Sequence, residues 1–238
     1  MINLKFLIHV LILIIGITKN QNIRYKCGAD SFIKKEIKEI DLKPIEHNNP
    51  LYKRRLKEID EDGFKKFNIY MDMTNIKKEI ELYKLEEYSD LFVNSINKAV
   101  ETLENLLKVH PQDLDINLGD DELFDILGIN YWDKEKFGTE PYEKGITLFS
   151  LDIDLVIFGK FEEMEEGVLA AATPAFINRV TGQPLVGMVY INKNVSYLSN
   201  INFQEYLQSI ILHEFTHVLG FTQFIFQEYF DILLYDYY

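Results

Sequence analysis

The sequence is poor in cysteine and in basic residues. With Cys27 as its single cysteine among 238 residues, the chain cannot form an internal disulfide, which excludes the small disulfide-stapled secreted domains. Only 25 Lys and Arg oppose 38 Asp and Glu, so the net charge is −13. Because basic residues are also interspersed with acidic ones, no basic stripe exists to neutralise phosphates, and we expect no nucleic-acid partner.

Long hydrophobic runs are missing after residue 17. The apolar run over residues 6–17 follows Lys5 and is about a dozen residues long, whereas a membrane-spanning helix needs about twenty. We therefore predict a signal peptide over residues 1–18 and a secreted or cell-surface protein, with an N-terminal membrane anchor as the alternative. Asn194 begins the one glycosylation sequon, Asn-Val-Ser, and is a glycosylation candidate that agrees with secretion.

The most specific motif is His-Glu-Phe-Thr-His over residues 213–217. Residues four apart lie on one face of a helix, so His213 and His217 can bind one zinc ion while Glu214 holds a water molecule. Zinc polarises the scissile carbonyl and the water, and Glu214 as general base transfers the water's proton to the leaving amine. This is the chemistry of a zinc peptidase.

The surrounding residues predict that the motif lies on a helix. Apolar positions recur at helical spacing from residue 203 to residue 218. Asn202 and Glu205 predict an N-cap with a capping box, and Gly220 predicts the turn after the zinc helix.

Hydrophobic patterning divides the rest of the chain into a charged stretch and an α+β domain. Residues 19–66 show little regular spacing of apolar residues, and we predict that they form a pro-segment or an extended region. Residues 67–238 are predicted to form the N-terminal part of a catalytic domain. We expect a mixed sheet with two long helices, one of them the zinc-binding helix. The predicted elements are a strand at 67–73, a helix over 76–109, and strands at 146–158, 168–173 and 185–192.

Two other groups of metal-binding residue types are better explained without a metal. The acidic residues between 113 and 122 could bind calcium, but their spacing misses the helix-loop-helix pattern, and a solvated acidic face is favoured. His110 is interpreted as a histidine at a helix C-terminus.

A catalytic zinc needs a third protein ligand, and the residues leave its identity open. The short metzincin spacing places Gln223 where a histidine would be needed. Glu228 lies too near His217 for the usual separate second helix, and Asp231 and Asp236 have no support from spacing. The remaining option is a histidine after a long insertion.

At this point the sequence resembles the leishmanolysin family of surface and secreted zinc metallopeptidases. The family's His-Glu-x-x-His-x-x-Gly-Phe matches His213, Glu214, His217, Gly220 and Phe221, and residues 167–172, 182–187 and 190–192 are similar to its strands before the zinc helix. The resemblance implies a metzincin-like catalytic subdomain, Zn²⁺ as cofactor and protein or peptide substrates. It also implies a role in cell adhesion and an association with a membrane or the cell surface.

The resemblance extends to a pro-segment motif over residues 24–30, in which a cysteine blocks the zinc. Cys27 is therefore a candidate latency switch, although Ala29 replaces the family's usual histidine. The family's third zinc histidine lies far downstream, and no histidine follows His217, so we expect a chain truncated before that ligand. The alternative function is that of a catalytically inactive pseudoenzyme acting as a secreted binding or adhesion protein.

Overall fold

The computed structural model describes residues 38–39, 43–44, 58–110, 114–115, 127–137, 152–178, 182–199 and 201–220. These residues form the α+β fold that the sequence predicts. The strands are β1 (Lys38–Glu39), β2 (Lys43–Pro44), β3 (Lys65–Lys66), β4 (Ile69–Asp72), β5 (Lys108–Val109), β6 (Leu114–Asp115), β7 (Leu155–Glu162), β8 (Ala170–Ile177) and β9 (Pro184–Asn192). The α-helices are α1 (Thr74–Tyr83), α2 (Ser89–Leu106), α3 (Lys134–Phe137) and α4 (Ile201–Val218), with 3₁₀ turns at Glu86–Tyr88 and Val195–Ser199.

A five-stranded mixed sheet in the order β1-β8-β9-β7-β4 forms the centre of the fold. β7 pairs in parallel with both β4 and β9, β9 pairs antiparallel with β8, and β1 pairs in parallel with β8. All nine residues of β9 are buried. A strand covered on both faces carries a nearly continuous run of apolar residues, which explains why β9 lacks the alternation of a half-exposed strand.

Residues 76–109 form two helices, so the single helix predicted there is wrong. The break lies at Lys84, whose φ of +58° is left-handed and cannot continue an α-helix. The Lys84 N–H caps α1 on the carbonyls of Ile80 and Glu81, and a 3₁₀ turn then leads to α2. The buried residues of α2 recur at helical spacing and form one stripe: Phe92, Ser95, Ile96, Ala99 and Leu103.

The predicted strands are present with shifted ends. The predicted strand at 67–73 is β4, and the one at 185–192 is β9. The strand predicted from residue 146 begins instead at Leu155, because Asp152 has a φ of +58° that interrupts an extended chain; residues 146–151 lie outside the described part. β8 continues through Pro174 to Ile177. Proline is tolerated there because, in the described part of the chain, the outer edge of β8 pairs with the two residues of β1 alone.

Two glycines let helices approach the sheet closely. A Cβ on Gly187 in β9 would lie 2.2 Å from Cγ1 of Val218, the last residue of α4. A Cβ on Gly159 in β7 would lie 2.3 Å from Cδ1 of Ile76 in α1. The helix that carries the metal motif is thus seated on the sheet at a position that only glycine allows.

The larger apolar cluster joins α1, α2 and α4 to the strands, and a second cluster includes Leu127, Ile129 and Ile153. Among the described residues, no helix combines the length and the hydrophobicity of a transmembrane span.

Candidate metal centre

The residues of the metal motif lie in the last two turns of α4. This helix packs against α2, β8 and β9 through an apolar stripe. The stripe consists of the buried residues Leu207, Ile210, Ile211, Phe215 and Val218. Burial of this stripe sets the rotation of the helix about its own axis, and His213 and His217 then share a partly buried face.

The two imidazoles converge on one point. Nε2 of His213 lies 3.3 Å from Nε2 of His217, and the ring planes are nearly perpendicular, at 89°. Two nitrogens at about 2.0–2.1 Å from a tetrahedral zinc ion are about 3.3–3.4 Å apart, so the pair has the separation of two zinc ligands. With Glu214, these histidines form a group whose ligand atoms lie within 4.8 Å of one another, the one such group of three found in the described part of the chain.

His213 has the protonation state that a metal ligand needs. Burial lowers the pKa of His213 to about 4, and the neighbouring His217 acts in the same direction. The imidazole is therefore neutral at neutral pH and offers a lone pair to a cation.

Glu214 is completely buried beside these imidazoles. Burial raises the pKa of its carboxyl group well above the ordinary range, and a hydrogen bond from the backbone N–H of Ala172 in β8 opposes this rise. Its Oε2 atom lies below the surface and makes no hydrogen bond among the described residues. A buried carboxylate with a high affinity for a proton, next to two converging imidazoles, has the properties of a general base.

The end of α4 is shaped by local hydrogen bonds. The Thr216 hydroxyl donates to the carbonyl of His213 at 2.6 Å, and the Gly220 N–H donates to the carbonyl of His217 at 3.0 Å. Gly220 has a φ of +91°, which favours glycine, and the chain turns away from the helix there, two residues after Val218.

The start of α4 differs from the prediction. The helix begins at Ile201, so Asn202 lies within the first turn and the predicted N-cap is wrong. Side chains from 201 to 205 lie outside the described part, as do Cys27 and the weighed third ligands Gln223, Glu228, Asp231 and Asp236.

Two other residues from the sequence analysis lie in different surroundings. Asn194 is exposed just after β9, and its Oδ1 accepts a hydrogen bond from the Ser196 N–H at 3.3 Å. The Nδ1 atom of His110 lies 2.9 Å from the carbonyl of Gly63, and its ring stacks on Phe64. His110 thus belongs to the packing after β5 and not to the group on α4.

Sequence reasoning missed the contribution of β8 to the site. The backbone N–H of Ala172 hydrogen-bonds to Glu214, and a backbone donor cannot be recognised from the type of residue that carries it. The close contact of Gly187 with Val218 has a signal, a glycine inside a strand, which marks a close approach of another backbone or side chain.

Residues 84–233 match a family model, that of the M8 peptidases, described as leishmanolysin. The match covers more than half of the chain and includes α2, the strands β7 to β9 and all three motif residues on α4. No curated protein matches the chain.

Proposed function

The chain belongs to the leishmanolysin family, and from this premise we propose that it is a zinc metalloendopeptidase in which His213 and His217 bind zinc and Glu214 is the general base. The family is zinc-dependent and acts on protein or peptide substrates. The observation that carries the proposal is the 3.3 Å separation of the two Nε2 atoms beside a fully buried carboxyl group.

The chain's own residues account for the binding and proton-transfer parts of the reaction. A bound zinc ion would supply a Lewis acid for the scissile carbonyl and lower the pKa of a water molecule. Glu214 accepts the proton of the attacking water and returns it to the leaving amine. The Ala172 N–H holds the Glu214 carboxylate against β8, and burial of the site strengthens these electrostatic interactions by excluding bulk water.

Zinc binding is the first test of this proposal. Isothermal titration of the purified chain with Zn²⁺ should give one site per chain, and cleavage of a quenched fluorescent casein should stop with a chelator and return with zinc. Cleavage that a chelator does not affect would refute the mechanism. Binding of zinc at no site, together with no cleavage, would favour the alternative of a catalytically inactive secreted binding or adhesion protein, because the proposed reaction needs a bound zinc ion.

The processing of the chain is a separate part of the proposal. We propose that residues 1–18 direct secretion, that Cys27 blocks the zinc until a pro-segment over residues 19–66 is removed, and that Asn194 carries a glycan. N-terminal sequencing of the secreted protein should give a first residue near Lys19 while the pro-segment is attached and near Phe67 once it is removed, and Asn194→Gln should lower the mass by one glycan. A role in adhesion at a cell surface rests on the family resemblance.

A further inference from the structure

A cavity of about 330 Å³ lies at the carboxyl ends of β7 and β9, beside the end of α1. The two strands are parallel neighbours whose last residues, Glu162 and Asn192, are paired, so the segments that follow them lie side by side. The volume is at the lower end of the range of about 300–1,000 Å³ for small-molecule sites, as expected for a single ring-sized group. The residues that line the cavity are Tyr83, Glu163, Met164, Lys193 and Asn194.

One wall of this cavity is the asparagine of the glycosylation sequon. Asn194 is exposed, its Oδ1 accepts a hydrogen bond from the Ser196 N–H at 3.3 Å, and its own N–H donates to Oδ1 of Asn192 at 3.0 Å. A glycan is joined to the side-chain nitrogen of asparagine and leaves Oδ1 as an acceptor. The turn that these bonds form is therefore compatible with glycosylation, and the first sugar of a glycan starts at the cavity.

A second wall is an aromatic ring that is exposed and yet held in place. Tyr83 is the last residue of α1 and is 41% exposed. Its ring packs edge-on with the buried Phe161 in β7, with the centroids 6.2 Å apart, and Phe161 packs in the same way with Phe92 in α2. Because this packing fixes the Tyr83 ring in advance, little side-chain entropy is lost when another group covers it.

The remaining walls are one apolar side chain and one ion pair. Met164 packs against the second apolar cluster, and Nζ of Lys193 lies 2.7 Å from Oε2 of Glu163. N-acetylglucosamine has matching surfaces, because its C–H groups and methyl group pack on an aromatic ring or a thioether and its hydroxyl groups hydrogen-bond to charged side chains. Apolar and aromatic side chains beside a few polar groups are the usual composition of a small-molecule site.

Covalent attachment makes weak contacts with the cavity sufficient. A sugar joined to Asn194 meets the cavity intramolecularly, at an effective concentration on the order of millimolar. Contacts too weak to capture the free sugar from solution can therefore hold an attached one in a fixed position.

We propose that the cavity holds the innermost N-acetylglucosamine of a glycan on Asn194, and that the sugar packs on the ring of Tyr83. The proposal rests on the proposed secretion and glycosylation of the chain and not on its peptidase activity. The cavity also lies away from the metal motif. Gly187, which contacts the last residue of α4, precedes Asn192 in β9 by five residues, about 17 Å along a strand.

Shielding of the glycan core tests this proposal. The full chain is secreted from eukaryotic cells that make high-mannose glycans, and the native protein is treated with endoglycosidase H, which cuts between the two innermost sugars. Mass spectrometry should show cleavage about 3–10-fold faster in Tyr83→Ala than in the original chain, the effect of losing one aromatic contact. Tyr83→Phe keeps the ring and should restore the slow rate. Tyr131→Ala is the matched control, because Tyr131 is 44% exposed and is not a lining residue of this cavity.

Three results would overturn the proposal. The first is an equal rate of cleavage in the original chain and in Tyr83→Ala, and the second is the absence of a glycan on Asn194. The third is a difference in rate that persists after denaturation, since the shielding must come from the folded cavity. Zinc affinity, titrated in the same samples, should be equal in all variants, so a failure of the proposed metal site is distinguishable from a failure of the sugar site.

Thermal unfolding separates contact with Tyr83 from other effects of the glycan. Ser196→Ala abolishes the sequon but keeps Asn194 and its hydrogen bond with the backbone N–H of residue 196, whereas Ser196→Thr keeps the sequon and is the matched control. After trimming to one N-acetylglucosamine, Ser196→Thr should unfold about 2–4 °C above Ser196→Ala, because a sugar that contacts only the folded chain stabilises it. The difference should vanish when Tyr83→Ala is added to both variants. A difference of the same size with and without Tyr83 would contradict the proposal.

Discussion

Two buried carboxyl groups of this protein, Glu79 in α1 and Glu214 in α4, have similar positions and different surroundings. Each accepts a hydrogen bond from a backbone N–H of a strand beneath its helix, Glu79 from Phe161 at 2.6 Å and Glu214 from Ala172. Burial is the largest influence on both and raises the pKa of each. By burial and the direction of the pKa shift alone, both groups would be candidates for a general base, with Glu214 the more deeply buried of the two.

Their neighbours separate them. The Asn75 side chain also hydrogen-bonds to Glu79, and Lys160 lies close enough to lower its pKa, so this carboxyl group ties α1 to β7. Glu214 lies instead beside two imidazoles whose Nε2 atoms converge. A buried carboxyl group is therefore a functional candidate only where its neighbours can bind a cation or substrate, and four predictions test this contrast.

The largest effect is expected from Glu214→Gln. The amide keeps the shape of the side chain but cannot accept the water's proton, so peptide cleavage by the zinc-loaded chain should fall by about 10²–10⁴-fold. Cleavage of a fluorescent peptide measures this loss. Glu79→Gln is the matched control and should retain activity; an equal loss in both variants would remove the distinction between the two carboxyl groups.

The next effect concerns the imidazoles. His217→Ala leaves a single imidazole on this face of α4, and the zinc affinity measured by calorimetric titration should fall by more than about 100-fold. Loss of a residue that only hydrogen-bonds to a zinc ligand already lowers metal affinity by about 10–100-fold. His110→Ala is the control, because His110 bonds to Gly63 and stacks on Phe64. Retained zinc affinity in His217→Ala would show that the metal binds elsewhere.

A smaller effect is expected where each helix approaches the sheet. Gly187→Ala places a methyl group against the stiff, β-branched Val218 and should destabilise the fold by about 1–3 kcal/mol while displacing the end of α4 and weakening zinc binding. In Gly159→Ala the added methyl group meets the terminal atoms of Ile76 and Met71, which can rotate away about a further side-chain bond, so its cost should be lower and zinc binding unchanged. Denaturant unfolding measures the change in the free energy of unfolding, and calorimetric titration measures the change in zinc affinity. Equal zinc affinity in the two variants would show that the seating of α4 does not position His217.

The smallest effect is a pH dependence from Glu79. Because the pKa of Glu79 is raised in the folded state above its ordinary value of 4.5, the folded chain binds more protons than the unfolded chain just above that pH. The contribution of Glu79 to the free energy of unfolding therefore declines as the pH rises from 4.5 towards the raised pKa. Of the neighbouring charges, Lys160 lowers the pKa of Glu79 and Glu162 raises it. Glu79→Gln removes the titrating group. Unfolding curves between pH 4 and pH 7 should therefore show that, as the pH rises, the variant gains stability relative to the original chain. A constant difference across this range would contradict the raised pKa.

Local features of the fold were predictable from the sequence, and long-range ones were not. The existence of α2 and α4 follows from the helical spacing of their apolar residues, and that of β9 from a short run rich in branched and aromatic residues after a turn. The break at Lys84 was missed because its left-handed conformation has no marker in a lysine, a residue common inside helices. The start of α4 was missed because an Asn one residue inside a helix resembles an N-cap in sequence.

The sequence by itself determined that His213 and His217 face one point and that Glu214 lies beside them, because residues four apart in a helix meet whatever the rest of the fold does. It also determined the family, through the motif and its matched segment. Only the tertiary structure decided that Glu214 is fully buried, that the Ala172 N–H hydrogen-bonds to it, and that β1 pairs with β8. These contacts join residues far apart in the chain, so they depend on the order of the strands in the sheet, which no local spacing encodes.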